Sequence, residues 1–171
     1  NKAEIQSIDL RKALNYGLNR KEMIRFLKNN IGSPATKGFI PDGLNTNLAV
    51  RGYSYNIKKA KEHVEQFRID SGIQNPTLSL ASDENYVDLC TYLQNTYNQI
   101  GITINIEVMP SAALREAKSN GKLELFRASW IADYPDPENY LLPYFSENFS
   151  PNGPNYTHFK SKTFDEGYEE I

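Results

Sequence analysis

Between residues 77 and 108 the chain reads as strand, helix, strand, and this unit constrains the fold more than any other feature. Thr77-Leu78-Ser79-Leu80-Ala81 is a short alternating run bounded by polar residues. Asp83 is placed to cap a helix running to Ile100, and Gly101 to end it. Ile102-Thr103-Ile104-Asn105-Ile106-Glu107-Val108 then alternates strictly, the period-2 mark of a strand. Two strands joined by a helix pair in parallel through a right-handed crossover. A further helix, Ser111 to about Ser119, leads through Gly121 to a third strand expected over Leu123 to Trp130. The class is α/β, with helices packed on a sheet and strands near 77–82, 102–108 and 123–130.

Upstream the pattern is helical. Apolar residues at 10, 13, 14, 17 and 18 form a stripe, with Ser7 or Asp9 as cap and Gly17 to Asn19 as terminator. A second helix is expected over roughly Arg20 to Asn30, with Met23, Ile24 and Leu27 inward. Gly32 to Asn47 is rich in breakers (Pro34, Gly38, Pro41, Gly43) and reads as a long ordered loop, a type that is often functional. Asn56 caps a helix to about Phe67 with Ala60, Val64 and Phe67 on one face.

At 171 residues the chain is one domain in size, and 39% hydrophobic with 23% charged residues is a globular profile. A net charge of −2 with scattered Lys and Arg argues against a nucleic-acid partner. No apolar run approaches the roughly 20 residues needed to span a bilayer. Cys90 is the single cysteine, so no intrachain disulfide forms, and its place with Leu89, Leu93 and Tyr97 marks a buried structural thiol. His63 and His158 are the only histidines, and His63 is expected on an exposed charged face, so neither a metal site nor a cofactor is expected. The chain starts at Asn1 without an initiator Met and stops inside an expected helix over Thr163 to Glu170, which reads as an excised segment.

Chemistry concentrates in Leu123 to Tyr140. A strand ends in a Trp and an Asp, and a double-proline turn then opens a helix through Pro137 and Glu138. Ligands of open α/β sheets bind beyond the carboxyl ends of strands, where Trp130 and Asp133 are expected. Arg127 interrupts an apolar strand, and a buried guanidinium is costly unless it meets an anion. Each residue also has a plainer role: Asp133 as a helix cap, Trp130 as core, Arg127 paired with Glu124 or Glu107.

The run Trp130-Ile131-Ala132-Asp133-Tyr134-Pro135-Asp136-Pro137 resembles the strand-to-helix corner of the oligopeptide/dipeptide family of bacterial extracellular solute-binding proteins, family 5. Asp9 to Arg20 resembles the first helix of that family's second lobe. Pro34-Ala35 through Ile40-Pro41 resembles its following loop, and Tyr55 to Ala60 its next helix start. The order and spacing persist through Leu93, Ile100-Gly101-Ile102 and Gly121 to Trp130. The resemblance implies a periplasmic-binding-protein type II-like lobe, a mixed sheet flanked by helices, with residues 1–171 forming one domain, most of the second lobe of a two-lobed clamp. It implies a monomeric, non-enzymatic component of an ABC importer, periplasmic or at the cell surface and open to lipid anchoring. Such a component captures short peptides and hands them to a membrane permease. It also assigns roles: Asp133 accepts the ligand's α-ammonium, Trp130 walls the cleft, and Arg127 meets the peptide carboxylate. Ser111 stands near where some relatives carry another cleft aromatic, which bears on ligand range.

Arg127 and Asp133 are six positions apart, at most about 20 Å if extended, a span that suits a short zwitterion. Two rival readings stay open. One is the same fold tuned to a sugar, nickel chelate or haem. The other is a hydrolase built on Asp133, Asp136 and Glu138, for which no accompanying catalytic motif is present.

Overall fold

The computed structural model of the chain describes residues 3–44, 50 and 52–171. A short helix α1 (Ala3–Gln6) precedes α2 (Ile8–Gly17), which Ser7 caps by accepting from the Leu10 N–H at 3.3 Å. α3 (Arg20–Lys28) follows, capped by Asn19. It lies shallow: Met23, Ile24 and Leu27 are only half-buried and Phe26 is exposed. The breaker-rich loop is irregular over 32–44, as expected; its last residues, 45–47, lie outside the described residues. Asn56 caps α4 (Ile57–Ser71), accepting from the Lys59 N–H at 3.0 Å.

The strand–helix–strand unit forms as read. β1 (Thr77–Ser82) leads through a 3-10 turn at Glu84–Tyr86, capped by Asp83, into α5 (Val87–Asn98) and β2 (Thr103–Val108). Gly101 ends the crossover with φ +83°, a conformation that glycine adopts without a Cβ penalty. α6 (Ser111–Ser119) returns the chain to β3 (Leu125–Phe126), and the sheet order is β2-β1-β3. All described strand pairing is parallel, whereas a mixed sheet was expected. The reason is local: β1 and β2 are each followed by a helical crossover, which returns the next strand in the same direction.

The third strand is shorter than its expected range of 123–130. Leu80 pairs with Leu125 and Ala81 with Phe126, the Arg127 N–H donates to the Ala81 carbonyl at 3.0 Å, and the ladder stops there. β1 ends at Ser82, so residues 128–130 run past the last available partner. The chain continues through α7 (Pro137–Leu141) and an irregular stretch to α8 (Lys162–Glu169).

The core lies between the sheet and the α2–α4 pair. Leu10, Ala13, Ala60, Val64 and Phe67 meet Leu78, Ile102 and Ile104, with Cys90, Tyr97 and Ile100 from the crossover helix and its end. Gly17 permits this closeness, because a Cβ there would come 2.8 Å from Ile100 Cδ1. Cys90 is buried in this core. Burial pushes the Tyr97 phenol up to about 12. His63 departs from the exposed position expected of it. It is half-buried, its Nδ1 2.7 Å from Asp9 Oδ1, and stacked on Tyr16 at 5.7 Å, so it joins α2 to α4.

Candidate functional site

The carboxyl ends of β1 and β3 open onto the corner formed by residues 127–141. Its centre is Asn139, only 1% exposed. The Asn139 Oδ1 accepts from the Trp130 indole Nε1–H at 3.0 Å and from the Asp133 backbone N–H at 3.3 Å. One amide oxygen therefore fixes both the ring and the turn that carries the carboxylate. The helix cap is Asp136, whose Oδ1 accepts from the Glu138 N–H at 2.8 Å. That leaves Asp133 without the capping role sequence reading allowed it. The Asp133 side chain is exposed and, among the described residues, accepts no hydrogen bond and joins no ion pair. It lines an open groove with Pro41 to Leu44, Tyr134 and Tyr140.

Trp130 is half-buried and lines a separate cavity of about 130 Å³ with Phe39, Phe126, Tyr144 and Tyr156. Phe39 connects the two concavities: its ring centroid lies 5.1 Å from Tyr144 within the cavity and 6.3 Å from Tyr140 in the groove. The segment that supplies Tyr156 is tied by the buried Asn155. Its amide N–H groups donate to the carbonyls of Phe145 at 3.1 Å and Phe159 at 2.9 Å, and its Oδ1 accepts from the Phe159 N–H at 3.1 Å.

Glu138 braces the corner from behind, accepting from the phenols of Tyr134 and Tyr168. Burial and the adjacent Glu138 carboxylate raise the Tyr168 phenol well above its usual range, so it stays a donor. α8 is thereby joined to the turn bearing Asp133.

Arg127 stands apart from the Trp130–Asp133 pair. It is half-buried at the sheet rim with its guanidinium carbon 3.6 Å from the Tyr86 ring centroid, a cation–π seat. The Tyr86 ring is a favourable partner for it, and among the described residues no ion pair with Glu107 forms. Lys118 lies nearby, its ammonium 5.1 Å from the Tyr156 ring and 6.0 Å from the Phe126 ring. Burial, then the charges of Arg127 and Arg115, hold the Lys118 ammonium below its usual pKa.

Of the three residues singled out from sequence, the structure joins Trp130 to Asp133 through Asn139 and places Arg127 on the neighbouring rim. Sequence reading missed Asn139, Phe39, Tyr144 and Lys118. Nothing local marks Asn139 as buried, and Phe39 gave a weak signal as a lone aromatic in a breaker-rich loop. Among the described residues no three His, Cys, Asp or Glu cluster to hold a metal, and no helix is long and apolar enough to cross a membrane.

Comparison with known proteins gives a consistent result. The family model described as bacterial extracellular solute-binding proteins, family 5 Middle, matches residues 1–152. A dipeptide-binding protein of Lactococcus lactis subsp. cremoris is 27% identical, over 94% of this chain and 30% of that protein. Heme-binding protein A of Haemophilus influenzae is 26% identical, over 96% of this chain and 30% of its own. The structure of the periplasmic binding protein DppA from Helicobacter pylori in complex with the peptide STSA superposes with a TM-score of 0.87. It covers 99% of this chain and 33% of that one at 23% identity. The chain thus spans about a third of the length of the relatives it matches.

Proposed function

The chain belongs to the bacterial extracellular solute-binding proteins of family 5, and from that premise we propose that it is most of one lobe of a clamp that captures short peptides for an ABC importer. The carrying observation is the Asn139-held corner, which presents an unengaged Asp133 carboxylate beside an open groove. A carboxylate so placed suits a ligand ammonium, a charge-assisted contact that strengthens as a closing clamp removes water. Trp130, held by the same amide oxygen, walls the neighbouring cavity. Arg127, cationic on the sheet rim, is available to the peptide's carboxylate. In this reading the intact protein works outside the cytoplasmic membrane, delivers its ligand to a permease, and binds without catalysing a reaction.

The test is calorimetry on the intact protein with free and N-acetylated short peptides. Asp133→Asn keeps the side chain's size but leaves the ligand ammonium without a counter-charge, and should weaken binding by roughly 2–5 kcal/mol. Acetylating the peptide should weaken wild-type binding similarly, and the two losses should not add, since both delete one interaction. Equal affinity of wild type and variant for free and acetylated peptides would remove Asp133 from the site. A second reading, a non-peptide solute such as haem, has in its favour the haem-binding relative and the aromatic lining. Adding haem, a nickel chelate and sugars to the same titrations decides between them.

A further inference from the structure

The cavity behind Trp130 has a size, a lining and a rim that together specify an occupant. Phe126, Trp130, Tyr144 and Tyr156 surround it, and Phe39 closes one side from the loop. Its volume of about 130 Å³ is close to the roughly 150 Å³ apolar cavity that takes up benzene. It therefore admits one aromatic or branched aliphatic group rather than a whole peptide. The cavity adjoins the Asp133 groove through the Phe39–Tyr140 contact, so a ligand anchored at Asp133 has a side chain within reach of it.

Charge at the rim narrows the class further. The Lys118 ammonium sits over Tyr156 and Phe126, two of the lining rings, and Arg127 and Arg115 lie close enough to disfavour its charge. A basic side chain entering here would meet a like charge already seated over Tyr156 and Phe126, whereas an uncharged ring or aliphatic group would meet mostly apolar surface.

We propose that this cavity is a specificity pocket that receives an uncharged apolar side chain of the bound peptide and turns away a basic one. The inference rests on the peptide-binding reading above and adds the preferred ligand class.

The experiment titrates the intact protein with short peptides carrying Ala, Leu, Phe or Lys at one position at a time. At one position Leu or Phe should bind roughly tenfold or more tightly than Ala, because several carbons leave water, and Lys should bind more weakly than Ala. Ala128→Phe, which fills the cavity from an exposed wall position, should bring the Leu/Ala and Phe/Ala ratios to within about twofold. Phe39→Ala should shrink the same ratios by removing a wall. Lys118→Gln should relieve the penalty against Lys while keeping the apolar preference. Peptides that bind through their ammonium with equal affinity for Ala, Leu, Phe and Lys at every position would overturn this inference alone. An apolar preference that survives in both Ala128→Phe and Phe39→Ala would overturn it as well. Failure to bind any peptide, with acetylated and free forms alike inert, would overturn the peptide reading and this inference with it.

Discussion

Asn139 holds two donors through a single oxygen, which concentrates much of the site's geometry in one side chain. Replacing it by Leu would leave the Trp130 indole N–H and the Asp133 amide without their acceptor in a half-buried corner. Such unsatisfied donors cost about 1–3 kcal/mol. Asn139→Leu should therefore lower unfolding stability by about that amount, read by denaturant titration. Trp130 is the chain's only tryptophan, so its fluorescence reports the corner directly and should shift in the same variant. Unchanged stability and an unchanged emission maximum would mean that packing, not this amide, holds the corner. The contrast with Asp133 is instructive. Both are short polar residues of one corner, yet Asn139 is buried with partners and Asp133 is exposed without a side-chain partner.

At the scale of elements, the strand–helix–strand unit turns on Gly101. Its φ of +83° closes α5 so that the chain can enter β2, and a Cβ there would come 2.7 Å from Arg68 Nη2. Arg68 can swing aside, so the backbone conformation dominates the cost. Gly101→Ala should destabilise by about 1–2 kcal/mol, the penalty for an L-residue in the left-handed region, measured by thermal or denaturant unfolding. A smaller change would show that the α5–β2 connection relaxes. The same unit was legible in the sequence because its signals are local: alternation, a capping Asp and a terminating Gly. β3 was overread because residues 123–130 carry strand-like composition but lack a partner beyond Ala81. Composition reports that a segment can be a strand; only a neighbouring backbone makes it one.

Across the whole molecule, the apolar core between α2, α4, α5 and the sheet is continuous within this chain. Residues 1–171 alone should therefore unfold as one cooperative unit, whereas ligand binding should suffer. A clamp buries its ligand between two lobes, and a single lobe leaves it half solvated with polar partners missing. The expectation is a Kd at least about a hundredfold weaker for this chain than for the intact protein, compared by calorimetry on the same peptide. Equal, tight affinities would mean that the binding site lies wholly within these residues. A broad, non-cooperative melt would mean that the other lobe of the proposed clamp supports this core.

What the sequence determined by itself was a set of features encoded within one or two turns of chain. These are the caps at Ser7, Asn56 and Asp83, the Ala60–Val64–Phe67 face, the β1–α5–β2 unit, and the ordered motifs that place the chain in its family. Such features depend on neighbours three or four residues away, so their residue types suffice. Tertiary structure alone decided that Asn139 is buried beneath Trp130. It also decided that Phe39 meets Tyr144 across more than a hundred residues, that Lys118 settles on the rings of the cavity, and that His63 pairs with Asp9. Each of these is a contact between distant segments whose local sequence is compatible with several partners, and which partner is met depends on how the sheet and helices close around the core.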